Sequence, residues 1–194
     1  MPSLPARVVI DACVLYPTVL RQCVLAVAAL GLFTPLWSDR ILEECARATV
    51  KLGATVKLGA GAAARARAEL ALLRARWPAA GVAPDPQVQA ALHLPDPDDT
   101  HVLATALVGR ADLILTLNLR DFPPRVLAPH GVRALDPDRF LLGLAADHRA
   151  AIAAAIGAVH AEAERLSGQP QPLRALLKRA GLPKLGKLLE HDDA

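Results

Sequence analysis

Residues 96–122 read DPDDTHVLATALVGRADLILTLNLRDF, and this stretch decides the fold. A turn rich in aspartate precedes apolar residues at helical spacing, and that helix is predicted to end near Gly109. The apolar run 113–117 follows as a short buried strand, and Asn118 and Asp121 come directly after it. This order is typical of a parallel α/β sheet, in which ligands bind at the carboxyl ends of the strands.

The turn before this helix holds several candidate acids. Asp99 precedes the apolar residues of segment 102–106 by three, four and seven positions, so it shares their inward face. A carboxylate on an inward face is costly unless a cation meets it, which makes Asp99 a functional candidate. Asp96 and Asp98 are interpreted as helix-entry residues, with Asp98 able to cap the helix, and His101 as a surface residue.

Two earlier segments add one acid each. Residues 7–11 (RVVID) read as a buried strand that ends in Asp11. A helix is predicted from residue 39 to about 50, and Glu44 lies on its apolar stripe whereas Glu43 lies on a charged face. We therefore take Glu44 as the functional candidate of the two.

Length and composition indicate a folded protein. The chain has 194 residues, of which 53% are apolar, enough for one domain with a core and a modest extension. Its three cysteines form no CxxC pair, which favours a reduced, cytoplasmic protein without disulfides or zinc, and Cys13 is interpreted as a small packing residue. The apolar run 23–33 is too short to span a bilayer, so no membrane association is expected.

Charge is unevenly distributed along the chain. Residues 40–80 carry eight basic and three acidic side chains, whereas residues 81–140 carry five basic and eight acidic side chains. A basic helix beside an acidic site suits a polyanionic substrate, although a solvated helix face has the same composition. The candidate phosphate-binding residues lie on a helix predicted over 62–77 and are Arg65, Arg67, Arg74 and Arg76.

Other common site chemistries are excluded by their motifs. A haloacid-dehalogenase-type phosphatase requires D-x-D after the first strand, where this chain has Asp11-Ala12-Cys13. No GxGxxG or GxxxxGK[ST] pattern follows a predicted strand, so neither a dinucleotide site nor a P-loop is indicated.

The C-terminal part of the chain is predicted to be helical. Asp136-Pro137 begins one helix, and a long alanine-rich helix runs from Asp147 to about residue 166. Two short helices then flank Ala180-Gly181 with helix-turn-helix spacing. They either form a nucleic-acid-binding regulator, whose phosphate contacts would be Lys178, Arg179, Lys184 and Lys187, or pack as a lid on the preceding domain or on a partner.

Four segments, in order, carry a resemblance to a known family. They are VVIDACVLYP, ILEE, DPDDTHVLATA and LTLNLRDFP, and together they resemble the PIN domain, in particular the VapC-type toxins of bacterial toxin–antitoxin pairs. The resemblance covers roughly residues 6–142. It implies a PIN-like three-layer α/β/α sandwich with a central, mainly parallel sheet over residues 1–142, followed by a helical C-terminal extension over residues 143–194.

The resemblance also implies a set of site residues. The first three acids of the family fall on Asp11, Glu44 and Asp99, and its T-x-D position falls on Asn118, where this chain departs from the commoner aspartate. Asp121 is the carboxylate that would replace it. The implied ligands of Mg²⁺ or Mn²⁺ are therefore Asp11, Asp99, Asn118 and Asp121, and Glu44 would position or deprotonate the attacking water.

The implied activity is metal-dependent endoribonuclease cleavage of RNA, with a cognate antitoxin as a partner and a homodimer as a compatible assembly. Taken singly, each acid has a plain alternative, such as a helix cap or an arginine pair. Taken together at the strand ends of one sheet, carboxylates repel each other unless a cation is present, which favours the metal site. A non-cleaving RNA-binding scaffold remains an alternative because of Asn118.

Overall fold

Four short strands form one parallel sheet at the centre of the fold. The structure, a computed structural model, describes residues 6–55 and 62–190. The strands are β1 (Ala6–Ile10), β2 (Phe33–Leu36), β3 (Leu113–Leu115) and β4 (Arg133–Leu135), in the spatial order β2-β1-β3-β4. All three pairings are parallel. Residues 8–10 of β1 and 113–115 of β3 are buried runs of Val, Ile and Leu, as expected for strands covered on both faces.

Ten helices surround the sheet in the described residues. They are α1 (Ala12–Leu15), α2 (Thr18–Ala29), α3 (Asp39–Thr55), α4 (Ala62–Arg76), α5 (Pro86–Ala90), α6 (Thr100–Val108), α7 (Pro124–Leu127), α8 (Pro137–Ser167), α9 (Leu173–Arg179) and α10 (Pro183–Glu190). Helix α3 continues past its predicted end near residue 50.

Helices cover both faces of the sheet. Helix α6 contacts β1 and β3, whereas α2 contacts β2 and packs along α8. The chain crosses the sheet in one direction from β1 to β2 and in the other from β2 to β3, and right-handed crossovers in opposite directions place α2 and α6 on opposite faces. Phe140 of α8 meets Phe33 of β2 edge to face, with ring centroids 5.1 Å apart. The predicted three-layer α/β/α sandwich with a helical extension is confirmed.

The strand order creates a crevice at the carboxyl ends of β1 and β3. The chain moves from β1 to β2 on one side and later returns to β3 on the other, which makes this the topological switch point. Asp11 follows β1 and donates its backbone N–H to the carbonyl of Leu115, 3.0 Å away. Thr116 follows β3 and donates in the same way to Leu135, also at 3.0 Å. Polar residues at the ends of both strands therefore face one crevice.

Helix α6 ends where predicted but by a different geometry. Gly109 keeps an ordinary backbone angle (φ −73°), and the left-handed residue is Arg110 (φ 49°). A Cβ added at Gly109 would lie 2.9 Å from the carbonyl oxygen of Thr105 and 3.0 Å from Cδ1 of Leu36. A side chain at this position would therefore meet the fixed backbone oxygen of Thr105 first, and glycine avoids that contact.

Helix α8 joins two predicted helices into one. It spans 31 residues, with a kink at His148 close to the predicted second start at Asp147. Asp136 caps it by accepting the N–H of Arg139 at 2.9 Å. The helix runs through residue 142, and the domain boundary there stays a prediction. By length and composition alone α8 could cross a membrane, so the expected absence of membrane association also stays a prediction.

The two C-terminal helices pack against α8. Gly181 (φ +80°) makes the turn between α9 and α10. The carboxylate of Asp138, which is 5% exposed, accepts the N–H of Lys184 at 3.0 Å and that of Leu185 at 2.9 Å. Arg149 donates to the carbonyl of Leu188 at 2.9 Å. Both ends of α10 are therefore fixed to α8, and the role of these helices as a lid stays a prediction.

Candidate metal centre

Three carboxylates meet in the crevice between β1 and β3. Asp96, Asp99 and Asp121 each offer one oxygen, and these oxygens all lie within 4.8 Å of one another. Asp96 precedes the 3₁₀ turn Pro97–Asp99 that leads into α6, and Asp99 is the last residue of that turn. Asp121 ends the 3₁₀ turn Leu119–Asp121 that follows β3. The three carboxylates of this acidic group therefore come from two separate segments of the chain.

The roles of the aspartates in the turn before α6 differ from those predicted from the sequence. Asp96, not Asp98, is the capping residue, because its Oδ1 accepts the N–H of Asp98 at 2.9 Å. The side chain of Asp98 is 95% exposed, so the prediction that it caps the helix is wrong. Asp96 was interpreted as structural only, whereas its carboxylate also joins the group with Asp99. The D-x-x-D spacing, about one helical turn, was the signal for this pairing.

Asp11 lies beside this group and is held by two donors. It is 7% exposed, and its Oδ2 accepts the hydroxyl of Thr116 at 2.7 Å and the thiol of Cys13 at 3.0 Å. The Sγ of Cys13 in turn accepts the N–H of Leu117 at 3.2 Å. Since both side-chain donors use Oδ2, Oδ1 is the oxygen left for a ligand.

Cys13 therefore does more than fill space, and its interpretation as a packing residue is incomplete. Burial, and then the charge of Asp11, raise the pKa of its thiol to about 12. The thiol is protonated at neutral pH, which allows it to donate to Asp11 and makes it unsuited to bind a metal as a thiolate.

The electrostatics of the site are concentrated on Asp99. Burial, followed by the charges of Asp11, Asp96 and Asp121, raises the pKa of this half-buried carboxyl to about 6. Like charges disfavour ionisation of a neighbouring carboxyl, so the three acids add to the larger effect of burial. Asp11, Asp99 and Asp121, predicted from separate segments, are thus brought into one neighbourhood.

Asn118 is tied to its own turn. Its Nδ2 donates to Oδ2 of Asp121, and its carbonyl oxygen Oδ1 accepts from Nε of Arg120 at 3.1 Å. Asp121 is 8% exposed. The amide therefore orients Asp121, and its own oxygen already has a donor.

Glu44 occupies a separate part of the site. Its Oε1 lies 3.1 Å from Nε2 of His101, 3.3 Å from Nε of Arg40 and 3.8 Å from Arg47. Burial raises the pKa of Glu44, but contacts with His101 and Arg40 outweigh it, so its pKa lies below the ordinary value. Glu44 is a carboxylate at neutral pH, with the guanidinium of Arg40 and the ring of His101 beside its Oε1.

The prediction that His101 is a surface residue is wrong. It is 1% exposed, because α6 is enclosed on nearly all sides and seven of its nine residues are buried. A residue of α6 that does not share the face of Asp99 is therefore still buried. It faces Glu44 instead, and no pattern in the sequence indicated that contact.

The predicted phosphate-binding arginines lie on α4, which packs against α3. Arg67 and Arg76 are exposed, and Arg74 donates to Asp39 at 2.8 Å. The side chain of Arg65 lies outside the described part of the structure. Their role in binding RNA stays a prediction.

The donor set fits a hard divalent cation. The converging ligand atoms are carboxylate oxygens, and the nearest sulfur is a protonated thiol. Mg²⁺ and Mn²⁺ prefer oxygen ligands, and Mg²⁺ usually needs only one or two direct carboxylates. The chemistry of these residues therefore matches either ion.

Comparison with known proteins gives two matches. The family model described as "PIN domain" matches residues 7–120, more than half of the chain. The protein "Putative ribonuclease VapC50" of Mycobacterium tuberculosis (strain ATCC 25618 / H37Rv) is 52% identical over 44 residues, which are 23% of this chain and 26% of that protein. The match thus spans about a quarter of the relative's length. No solved structure matches significantly.

The raised pKa of Asp99 predicts that its charge destabilises the metal-free protein. A carboxyl whose folded-state pKa is above its unfolded value of about 3.8 loses its stabilising contribution as pH rises through about 6. In chelator at pH 7, Asp99→Asn should raise stability by on the order of 1 kcal/mol, allowing for solvent screening, or about 2–4 °C in Tm.

Thermal unfolding measures this effect, with the exposed Asp98→Asn as the matched control. The rise in Tm that Asp99→Asn produces should be smaller at pH 4.5, because Asp99 of the unmodified protein is itself protonated there. An unchanged Tm at both pH values would contradict the assignment of mutual repulsion.

Proposed function

This chain belongs to the PIN domain family, and from that premise we propose that it is a metal-dependent endoribonuclease that hydrolyses RNA phosphodiester bonds. The observation that supports the proposal most is the meeting of Asp96, Asp99 and Asp121 beside Asp11, at the carboxyl ends of β1 and β3. Carboxylates from four separate positions in one crevice are expected where a cation is held.

The relative from Mycobacterium tuberculosis supports RNA as the substrate, since it is named "Putative ribonuclease VapC50". We extend this likeness to the VapC-type toxins and propose that the chain is the toxin of a toxin–antitoxin pair. It would then act in the cytoplasm and be neutralised by a cognate antitoxin protein.

The proposed ligands of Mg²⁺ or Mn²⁺ are Asp11, Asp99 and Asp121, with Asp96 as a further carboxylate of the group. Asn118 contributes mainly by orienting Asp121, because its carbonyl oxygen accepts from Arg120. The cation would neutralise the carboxylates and stabilise negative charge on the phosphate that is being cleaved. Thr116 and Cys13 keep Asp11 in place from the side away from the ligand position.

Glu44 is proposed to orient the water that attacks phosphorus. Its lowered pKa makes it a reliable hydrogen-bond acceptor but a weak general base, so positioning is favoured over deprotonation. His101 and Arg40 hold its carboxylate and thus fix the direction from which that water would approach.

A regulator that reads duplex DNA through α9 and α10 is not supported by the contacts. In a helix-turn-helix, the first turn of the second helix contacts base edges. Here that turn is held by Asp138 of α8.

The proposal is tested by RNA cleavage with protein purified in chelator, before and after addition of Mg²⁺ or Mn²⁺. We expect cleavage only with metal and a loss of at least about 100-fold in Asp99→Asn, or about 2.7 kcal/mol of transition-state stabilisation. Asp98→Asn should cleave normally. Metal-dependent cleavage retained in Asp99→Asn would contradict the site, and metal binding without cleavage in the unmodified protein would indicate a non-cleaving scaffold.

Glu44→Gln should separate the two halves of the site. Because Glu44 lies outside the group of Asp96, Asp99 and Asp121, metal affinity measured by calorimetry should change by less than about twofold, whereas kcat should fall at least about tenfold. Glu43→Gln on the exposed side of the same helix is the control. Loss of metal binding in Glu44→Gln would instead make Glu44 a ligand.

A further inference from the structure

A cavity of about 550 Å³ lies between the turn after β3, helix α7 and strand β4. Its floor is apolar: Phe122 and Leu127 are 1% exposed and Val132 is 3% exposed. Leu119 and Leu135 form part of its walls. Size and composition are those of pockets that hold a small, flat, mostly apolar group.

The cavity shares a turn with the metal centre. Leu119 begins the 3₁₀ turn that ends in Asp121, and Phe122 comes directly after it. The turn presents Asp121 to the acidic group, whereas Leu119 and Phe122 line the cavity. A ligand in the cavity would therefore contact the same 3₁₀ turn that carries Asp121.

The wall formed by β4 offers backbone hydrogen-bonding groups. Arg133 donates its N–H to Asp112 at 3.1 Å, and Leu135 accepts from Thr116 at 3.0 Å, so these two residues face β3. By the alternation of a parallel ladder, the N–H and C=O of Ala134 point away from β3. Ala134 lines the cavity, and β4 is the edge of the described sheet. One donor and one acceptor are thus available to a ligand.

Two arginines stand at the rim of the cavity. Arg133 and Arg139 line it and are exposed, and neither side chain makes an ion pair or hydrogen bond with the described residues. Guanidinium groups without an acidic partner are well suited to phosphate. The rim is therefore complementary to an anion, while the floor is complementary to an apolar ring.

We propose that this cavity is a nucleotide subsite, which holds one unpaired base of single-stranded RNA next to the phosphodiester that is cleaved. The ring lies on the apolar floor, the base edge bonds to the backbone of Ala134, and Arg133 and Arg139 contact the flanking phosphates. Unstacked bases of single-stranded RNA present their faces and edges in this way. The subsite deepens the proposed ribonuclease function and rests on it.

The arginine contacts are tested by binding of a fluorescein-labelled, unstructured 12-nucleotide RNA to the full chain in chelator, by anisotropy over a range of salt. Arg133→Ala and Arg139→Ala should each weaken binding about three- to tenfold and lower the salt slope by about 0.7, the value for one phosphate contact to a single strand. Arg125→Ala, an exposed arginine on the neighbouring α7, is the matched control and should bind as the unmodified protein does.

The base contact is tested by filling the cavity. Ala128→Phe places a ring at the cavity wall and should weaken RNA binding at least fivefold with metal affinity unchanged, whereas Ala151→Phe on the exposed face of α8 should have no effect. Should Ala128→Phe fail to fold, ultraviolet crosslinking of a 4-thiouridine version of the RNA should label the segment 119–135.

Two results would overturn the subsite: normal RNA binding by both arginine variants, or crosslinks confined to other segments. Normal RNA binding by both arginine variants is the result expected if the β4 edge instead binds an extended peptide or a second copy of this chain. Cleavage of the same RNA with Mg²⁺ is measured in parallel. If the unmodified protein cleaves the RNA and the arginine variants bind it normally, the subsite is wrong and the nuclease function stands. If the unmodified protein binds the RNA without cleaving it and the arginine variants weaken that binding, the nuclease function is wrong and the subsite stands.

Discussion

Mutual repulsion between carboxylates is the constraint on which the rest of this site depends. Asp11 follows β1, Asp96 and Asp99 belong to the turn before α6, and Asp121 ends the turn after β3. The pKa of Asp99, about 6, shows the consequence, since burial and three neighbouring acids all oppose its charge. A fold that keeps such a group together at neutral pH is less stable than it would be without it, unless a cation binds.

The surrounding residues divide the site into two parts with different tasks. Thr116 and Cys13 hold Asp11 through a single oxygen, and Asn118 holds Asp121, so these carboxylates are oriented before any ion arrives. Glu44 is held apart from them by His101 and Arg40. Orientation by neighbouring hydrogen bonds is how proteins fix metal ligands. One part is therefore arranged for a cation, and the other for a water molecule.

Much of this could be predicted from the sequence, because the deciding signals are local. The apolar runs that end in Asp11 and Thr116 indicate buried strands, and strand ends in a parallel sheet meet at one edge. The burial of His101 could not be predicted, because helical spacing identifies one inward face and α6 is enclosed on nearly all sides. The bonds from Thr116 to Asp11 and from Leu117 to Cys13 depend on the tertiary pairing of β1 with β3. The D-x-x-D spacing of Asp96 and Asp99 is visible in the sequence, but propensity does not specify the 3₁₀ turn that brings the two carboxylates together.

The account as a whole requires that one divalent ion be held between the ends of β1 and β3. The most direct measurement is anomalous diffraction from crystals grown with Mn²⁺. The account predicts an anomalous peak within about 2.0–2.3 Å of carboxylate oxygens of Asp99 and at least one of Asp11 and Asp121. Mn²⁺ peaks found only elsewhere on the protein, with this crevice filled by water or closed by an arginine, would contradict it.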